Sequence, residues 1–149
     1  MKIYVASDHN GFHMRNSLVE YLSRAGYDVA EIGQETLDPN DDFPIFAQRV
    51  VTDMLSSGDS DARGILICGS GQGMCMAANR FKGIRALLGY DRESVKSART
   101  DDDANILCMP ARTLNKDQIN LLVETFLNTP FVAVPRFVRR IREMDEVGQ

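Results

Sequence analysis

Short apolar runs alternate along this chain with longer stretches whose apolar residues recur at helical spacing. Residues 2–7 (KIYVAS), 27–33 (YDVAEIG), 64–68 (GILIC), 84–90 (IRALLGY) and 105–110 (NILCMP) read as five strands. Residues 11–26 place Met14, Leu18, Leu22 and Ala25 on one helical face, with Gly26 as a stop signal. A helix follows Pro44 through residues 45–58, because proline is tolerated in a first helical turn. Residues 73–81, 92–101, 115–128 and 135–146 read as further helices, and the polar stretch 34–43 (QETLDPNDDF) as a loop. The run at 64–68 is apolar throughout, as expected of a strand covered on both faces. Strands separated by helices predict a parallel sheet, and right-handed crossovers place helices on both of its faces. The expected fold is α/β: a Rossmann-like three-layer α/β/α sandwich with a five-stranded parallel sheet, one domain over residues 1–149.

Composition narrows the function classes. Hydrophobic residues make up 44% of the chain, and no apolar run approaches a membrane span. The net charge of −4 offers no general attraction to nucleic acid or to acidic membranes. The opening MKIYVASDHNG lacks a long apolar segment with a cleavage site, so a cytoplasmic protein is expected. Three cysteines without C-x-x-C spacing and only two histidines argue against a zinc site.

Ligands of such sheets bind outside the carboxyl ends of the strands. There the sequence sets SDHNG (7–11), CGSGQG (68–73) and, after the fifth strand, Arg112. Gly69, Gly71 and Gly73 free the backbone, so that successive N–H groups can point at one anion; a tight strand-to-helix turn would ask for the same glycines. The spacing is not a dinucleotide fingerprint, because the third glycine comes one position early. Cys68 adds a second signal, since a thiol before a helix N-terminus ionises readily and can act as base or nucleophile. Cys75 and Cys108 read as packing residues. Asp8 fits a helix cap as well as a ligand site, and His9 a turn residue. Arg136 and Arg140 lie one helical turn apart, which suits either a solvated face or a phosphate clamp.

The segments SDHNGF, DDFPIFA, GILICGSGQGM, AANRFKGIRA, DDANIL and PRFVRRI occur in the order and form that resemble the ribose-5-phosphate isomerase B family, from about residue 2 to residue 141. Its wider group includes galactose- and allose-6-phosphate isomerases. The resemblance implies interconversion of a phosphorylated aldose and its ketose through a cis-enediolate, with no metal or organic cofactor. It implies that Cys68 is the base, that the amides of Gly69, Gly71, Gln72 and Gly73 hold the enediolate oxygen, and that the Ser70 hydroxyl assists ring opening. Asp8, His9, Phe43, Asp102 and Asn105 would line the sugar, and Arg112, Arg136 and Arg140 would hold its phosphate. The site would be shared between subunits of a homodimer or tetramer, with the helix at about 135–146 at the interface.

The sequence departs from that family at substrate-facing positions. Asp101 stands where the family has the ring-opening histidine, and Asp102 where it has asparagine. A carboxyl with an ordinary pKa of about 3.9 is a poor proton donor at neutral pH. Phe43 replaces a common tyrosine, and Gln72 a small or aliphatic residue. The expectation is retained chemistry on a changed sugar phosphate, with a non-catalytic sugar-phosphate binder as the alternative.

Overall fold

The computed structural model describes residues 1–148; Gln149, the end of the expected domain, lies outside the described residues. Five strands form one parallel sheet: β1 (Lys2–Ser7), β2 (Asp28–Ile32), β3 (Arg63–Cys68), β4 (Ala86–Leu88) and β5 (Ile106–Pro110), in the order β2-β1-β3-β5-β4. Each crossover is helical: α1 (Phe12–Arg24), α2 (Phe43–Ser56), α3 (Gln72–Ala78) and α4 (Arg92–Asp102) connect successive strands, and α5 (Lys116–Asn128) and α6 (Pro135–Glu146) follow β5.

Alternation along the strands sorts the core into two layers. Tyr4, Ala6, Leu66, Cys68, Ile106 and Cys108 face α2 and α3. Ile3, Val5, Ile65, Ile67, Leu107 and Met109 face α1, α4 and α5. β3 and β5 are buried almost end to end, which is why their sequences are unbroken apolar runs.

Several boundaries shift from the sequence expectation, among them those of β4 and α2. β4 is only three residues long and lies at an edge of the sheet, paired on one side by β5. The side chain of Asn79 covers part of its open edge, donating to the Ala86 carbonyl (2.8 Å) and accepting from the Ala86 amide (2.8 Å). α2 begins at Phe43, so Pro44 lies inside its first turn, where no intrahelical donor is required.

Strand order reverses at β1: the chain steps from β1 to β2 on one side, then crosses to β3 on the other. The crevice at that switch point opens between the carboxyl ends of β1 and β3. Those ends carry Asp8 and Cys68, and the Asp8 amide donates to the Ile67 carbonyl at 3.2 Å.

Candidate active site at the strand ends

Cys68 closes β3 and is 4% exposed. Its sulfur accepts a hydrogen bond from the Gly71 amide at 3.2 Å, which fixes Sγ beneath the loop. Gly71 makes that bend with φ +75°, and a Cβ there would lie 2.7 Å from Leu88 and 3.0 Å from the Met109 backbone. Glycine is therefore required at this position for both conformation and space. The Gln72 amide donates to Ser70 Oγ at 3.3 Å, so the exposed Ser70 side chain folds back over the loop.

Two side chains pack directly on this loop. β5 continues alongside it through bonds from the Ala111 amide to the Cys68 carbonyl (2.8 Å) and from the Arg112 amide to the Gly69 carbonyl (3.1 Å). This brings the Arg112 guanidinium against Gly69, 2.9 Å from where a Cβ would sit. The Phe43 ring covers Gly73 in the same way, at 2.6 Å.

On the β1 side, Asp8 Oδ1 accepts from the Asn10 (2.9 Å) and Gly11 (3.3 Å) amides and caps a 3₁₀ turn, His9–Gly11. The capping alternative for Asp8 is thus what one of its oxygens does. Sequence reasoning missed the next partner. Asp41 accepts from the His9 amide at 3.0 Å and lies 2.7 Å from His9 Nδ1 through the same oxygen. The hydrogen bond to Asp41 holds the His9 imidazole above its ordinary value; desolvation opposes it, and the charges of Asp8, Asp41 and Asp38 add to it. Asp41 opens the DDFPIFA segment but carried no assigned role in the sequence, where it is one acid among four in a polar loop.

Asp8, His9 and Asp41 are also the one group of ligand atoms close enough together to hold a metal ion among the described residues. His9 Nδ1 is already spent on Asp41, so the trio is built as a hydrogen-bonded pair beside a cap. Nothing in the donor set calls for a metal.

The remaining predicted residues lie elsewhere. α4 starts just beyond the carboxyl end of β4 and runs back 11 residues, about 16 Å, toward the amino ends of the strands. Asp101 and Asp102 are its last residues, so they lie at the opposite edge of the sheet from Cys68. Asp101 accepts from the Thr100 hydroxyl at 2.8 Å. Burial, then the neighbouring Asp101, raises the Asp102 carboxyl above its ordinary value, while Arg140 and Arg85 pull it back. α5 also descends to that edge, where the Val132 amide donates to the Thr100 carbonyl at 3.0 Å and leads into α6. Arg136 and Arg140 are carried on α6, with Arg136 stacked on Phe137 at 4.8 Å. Asn105 is committed to the fold: its side chain accepts from the Arg85 amide and donates to the Gly83 carbonyl, both at 2.8 Å. A cavity of about 700 Å³ opens at this edge, lined by Arg80, Arg85, Asp102 and Met144 among others, and Cys68 takes no part in it.

One chain therefore brings together Asp8, His9, Phe43, Cys68, residues 69–73 and Arg112, and separates them from Asp101, Asp102, Asn105, Arg136 and Arg140.

Comparison with known proteins identifies the family of the chain. Residues 3–144 match the family model described as Ribose/Galactose Isomerase. The chain is 40% identical to a protein named probable ribose-5-phosphate isomerase B from Mycoplasma pneumoniae, over 87% of this chain and 84% of that one. It superposes with TM-score 0.91 and 36% identity on ribose-5-phosphate isomerase B of Mycoplasma genitalium with bound ribulose-5-phosphate, covering 97% of this chain and 93% of that one. It is also 36% identical to a 4-deoxy-4-sulfo-D-erythrose isomerase from a Clostridium species, over 88% of this chain and 81% of that one. No helix among the described residues is long and apolar enough to cross a membrane. With its matched span, its parallel sheet and a cysteine at the mouth of a glycine loop, the chain belongs to the ribose/galactose isomerase family.

Proposed function

We propose that the protein is an aldose–ketose isomerase of a phosphorylated sugar, with Cys68 as the proton-transfer base. The observation that carries this is the sulfur's place at the β1/β3 switch point, held by the Gly71 amide under a loop of backbone donors. The Cys68 thiolate takes the proton from the carbon beside the carbonyl, and the electron pair moves onto the carbonyl oxygen to give an enediolate. The Gly71 amide serves the Cys68 sulfur and the Gln72 amide Ser70, rather than the enediolate oxygen as the resemblance implies, so in this reading the developing charge falls to the other amides between Gly69 and Gly73. The proton then returns from sulfur to the neighbouring carbon, and the hydroxyl proton crosses between the two oxygens. Ser70 assists at the ring oxygen, and Arg112 and His9 hold the anionic end. The chemistry asks for no cofactor.

The Asp101 edge completes the site from a second copy of the chain, in a homodimer or a dimer of dimers. α6 supports this reading: Phe137, Val138, Ile141 and Met144 form an apolar stripe, yet none of its residues is buried. Free thiols, one of them the base, fit a reducing compartment, which favours the cytoplasm.

Asp101 supports a second reading of the substrate. Ribose 5-phosphate closes a ring through its 4-hydroxyl and must be opened before isomerisation. A four-carbon aldose with its anion at C4 has no free 4-hydroxyl and cannot close that ring, so it needs no ring-opening acid. The Clostridium relative's named substrate is of this kind.

One experiment covers both readings. Ribose 5-phosphate and erythrose 4-phosphate are each incubated with the protein in deuterium oxide, and exchange at carbon and conversion are followed by NMR. Wild-type protein should exchange and convert at least one; Cys68→Ala should lose roughly 10²–10⁴-fold in both signals. Full exchange in Cys68→Ala would remove the thiol from the mechanism, and wild-type binding without exchange would mark a binding protein. Faster turnover of the four-carbon sugar would select the second reading.

A further inference from the structure

The loop between β2 and α2 delivers two residues to the strand ends, only two positions apart. Phe43 covers Gly73, and Asp41 meets His9. The loop is shaped to do so. Asp38 Oδ1 accepts from the Asn40 amide at 2.9 Å, and the Asp38 carbonyl accepts from the Asp41 amide at 3.3 Å, closing a turn around Pro39. At its other end, Arg15 donates to the Gln34 carbonyl at 2.8 Å and pairs with Glu31 at 2.9 Å. The Asp41 side chain is 7% exposed, against 31% for His9, so the carboxylate is the inner member of the pair and the imidazole the outer one.

One carboxylate oxygen receives both the His9 amide and the Nδ1 side of its ring. That double contact fixes the ring's orientation and its tautomer: Nδ1 carries the proton given to Asp41, and Nε2 is the nitrogen left for a ligand. We propose that Asp41 is a positioning residue, which locks His9 with Nε2 presented to the strand-end crevice and keeps it cationic, as a donor to the phosphate of a bound sugar. The charged groups around the ring, Asp41, Asp8 and Asp38, are all acidic and all favour the imidazolium. A cation here adds to Arg112 across the crevice. The inference rests on the sugar-phosphate reading for its ligand, though not for the His9–Asp41 pair itself.

The sign of the pH dependence follows. His9 is protonated below its raised pKa and neutral above it, so phosphate binding weakens as pH rises through that value. Asp41→Asn retains an oxygen that can accept from both donors, so the loop keeps its anchor while the charge is lost. The two histidines, His9 and His13, give separate NMR signals, and His13 serves as the internal control. In Asp41→Asn, the His9 signal should titrate at lower pH than in the wild-type protein. Affinity for inorganic phosphate near neutral pH should fall about tenfold, to nearly the level of His9→Ala. Adding Asp41→Asn to His9→Ala should cost nothing further, which separates charge positioning from a general loosening of the loop. For any sugar phosphate that turns over, KM should rise while kcat changes little. An unmoved His9 titration, undiminished phosphate affinity, or a full additional loss in the double variant would each overturn the proposal. Wild-type protein that turns over no sugar phosphate, but shows the expected His9 and phosphate effects, would overturn the isomerase reading and leave Asp41 in place.

Discussion

Cys75 and Cys108 touch each other and still differ in chemistry. Cys108 lies on β5 and is fully buried, and burial, more than any neighbour, pushes its thiol well above the ordinary range. Cys75 lies on α3 and is half-buried, and the hydrogen bond with Cys108 brings its thiol below the ordinary value. Its sulfur also donates to the Ala86 carbonyl (3.4 Å) and accepts from Asn79 Nδ2 (3.7 Å). Sequence reading treats both as packing residues, because depth beneath a three-residue edge strand leaves no mark on the residue itself. Since the thiolate is the reactive form, limiting iodoacetamide at mildly alkaline pH should label Cys75 and spare Cys108. Peptide mass mapping reads this directly. Labelling of Cys108 in the folded protein, at a rate near that of Cys75, would show that the sheet does not protect it.

The glycine loop and α3 form one element, and the loop's geometry depends on Gly71. A left-handed backbone there, with the Met109 backbone 3.0 Å from any Cβ, means that Gly71→Ala meets both a conformational and a steric penalty. The left-handed conformation alone costs about 1–2 kcal/mol, measurable as a lower urea midpoint at unchanged m value. The amide bond to Cys68 would be displaced as well, so turnover should fall further than stability does. A variant as stable and active as wild type would show that the loop adapts. At this scale much was legible. The apolar runs marked the strands, and alternating glycines after Cys68 marked the loop, because both patterns follow from local backbone demands. Helical spacing put Arg136 and Arg140 on one face. What local pattern could not supply was where an element ends in space. The length of α4 takes Asp101 and Asp102 to the far edge, the bonds of Asn105 tie β4 to β5, and the Asp38–Asp41 turn carries an unremarkable aspartate to His9.

The whole molecule divides its candidate site residues between two edges of one sheet. A sugar phosphate is shorter than the roughly 16 Å that α4 spans, so one ligand cannot touch Cys68 and Asp101 of the same chain. Either the far edge has no part in the site, or a second copy turns its far edge toward the first copy's crevice. A twofold arrangement would satisfy both copies at once, because the same two patches meet twice. It would also cover the apolar stripe of α6, whose main packing within its own chain is on α4. The two alternatives separate in a mixing experiment. Cys68→Ala removes the proposed base from one edge, and Arg140→Ala the proposed phosphate ligand from the other. Each variant alone should be nearly inactive. When the two are mixed in equal amounts, dissociated and reassociated, half of the dimers are mixed, and each mixed dimer holds one intact site and one doubly damaged site. Activity should therefore recover to about a quarter of the wild-type value. A mixture as inactive as its components would show that Cys68 and Arg140 do not complement each other across copies, and would overturn the shared site. An Arg140→Ala variant active by itself would remove the helix from phosphate binding while leaving its apolar stripe to be covered by other means.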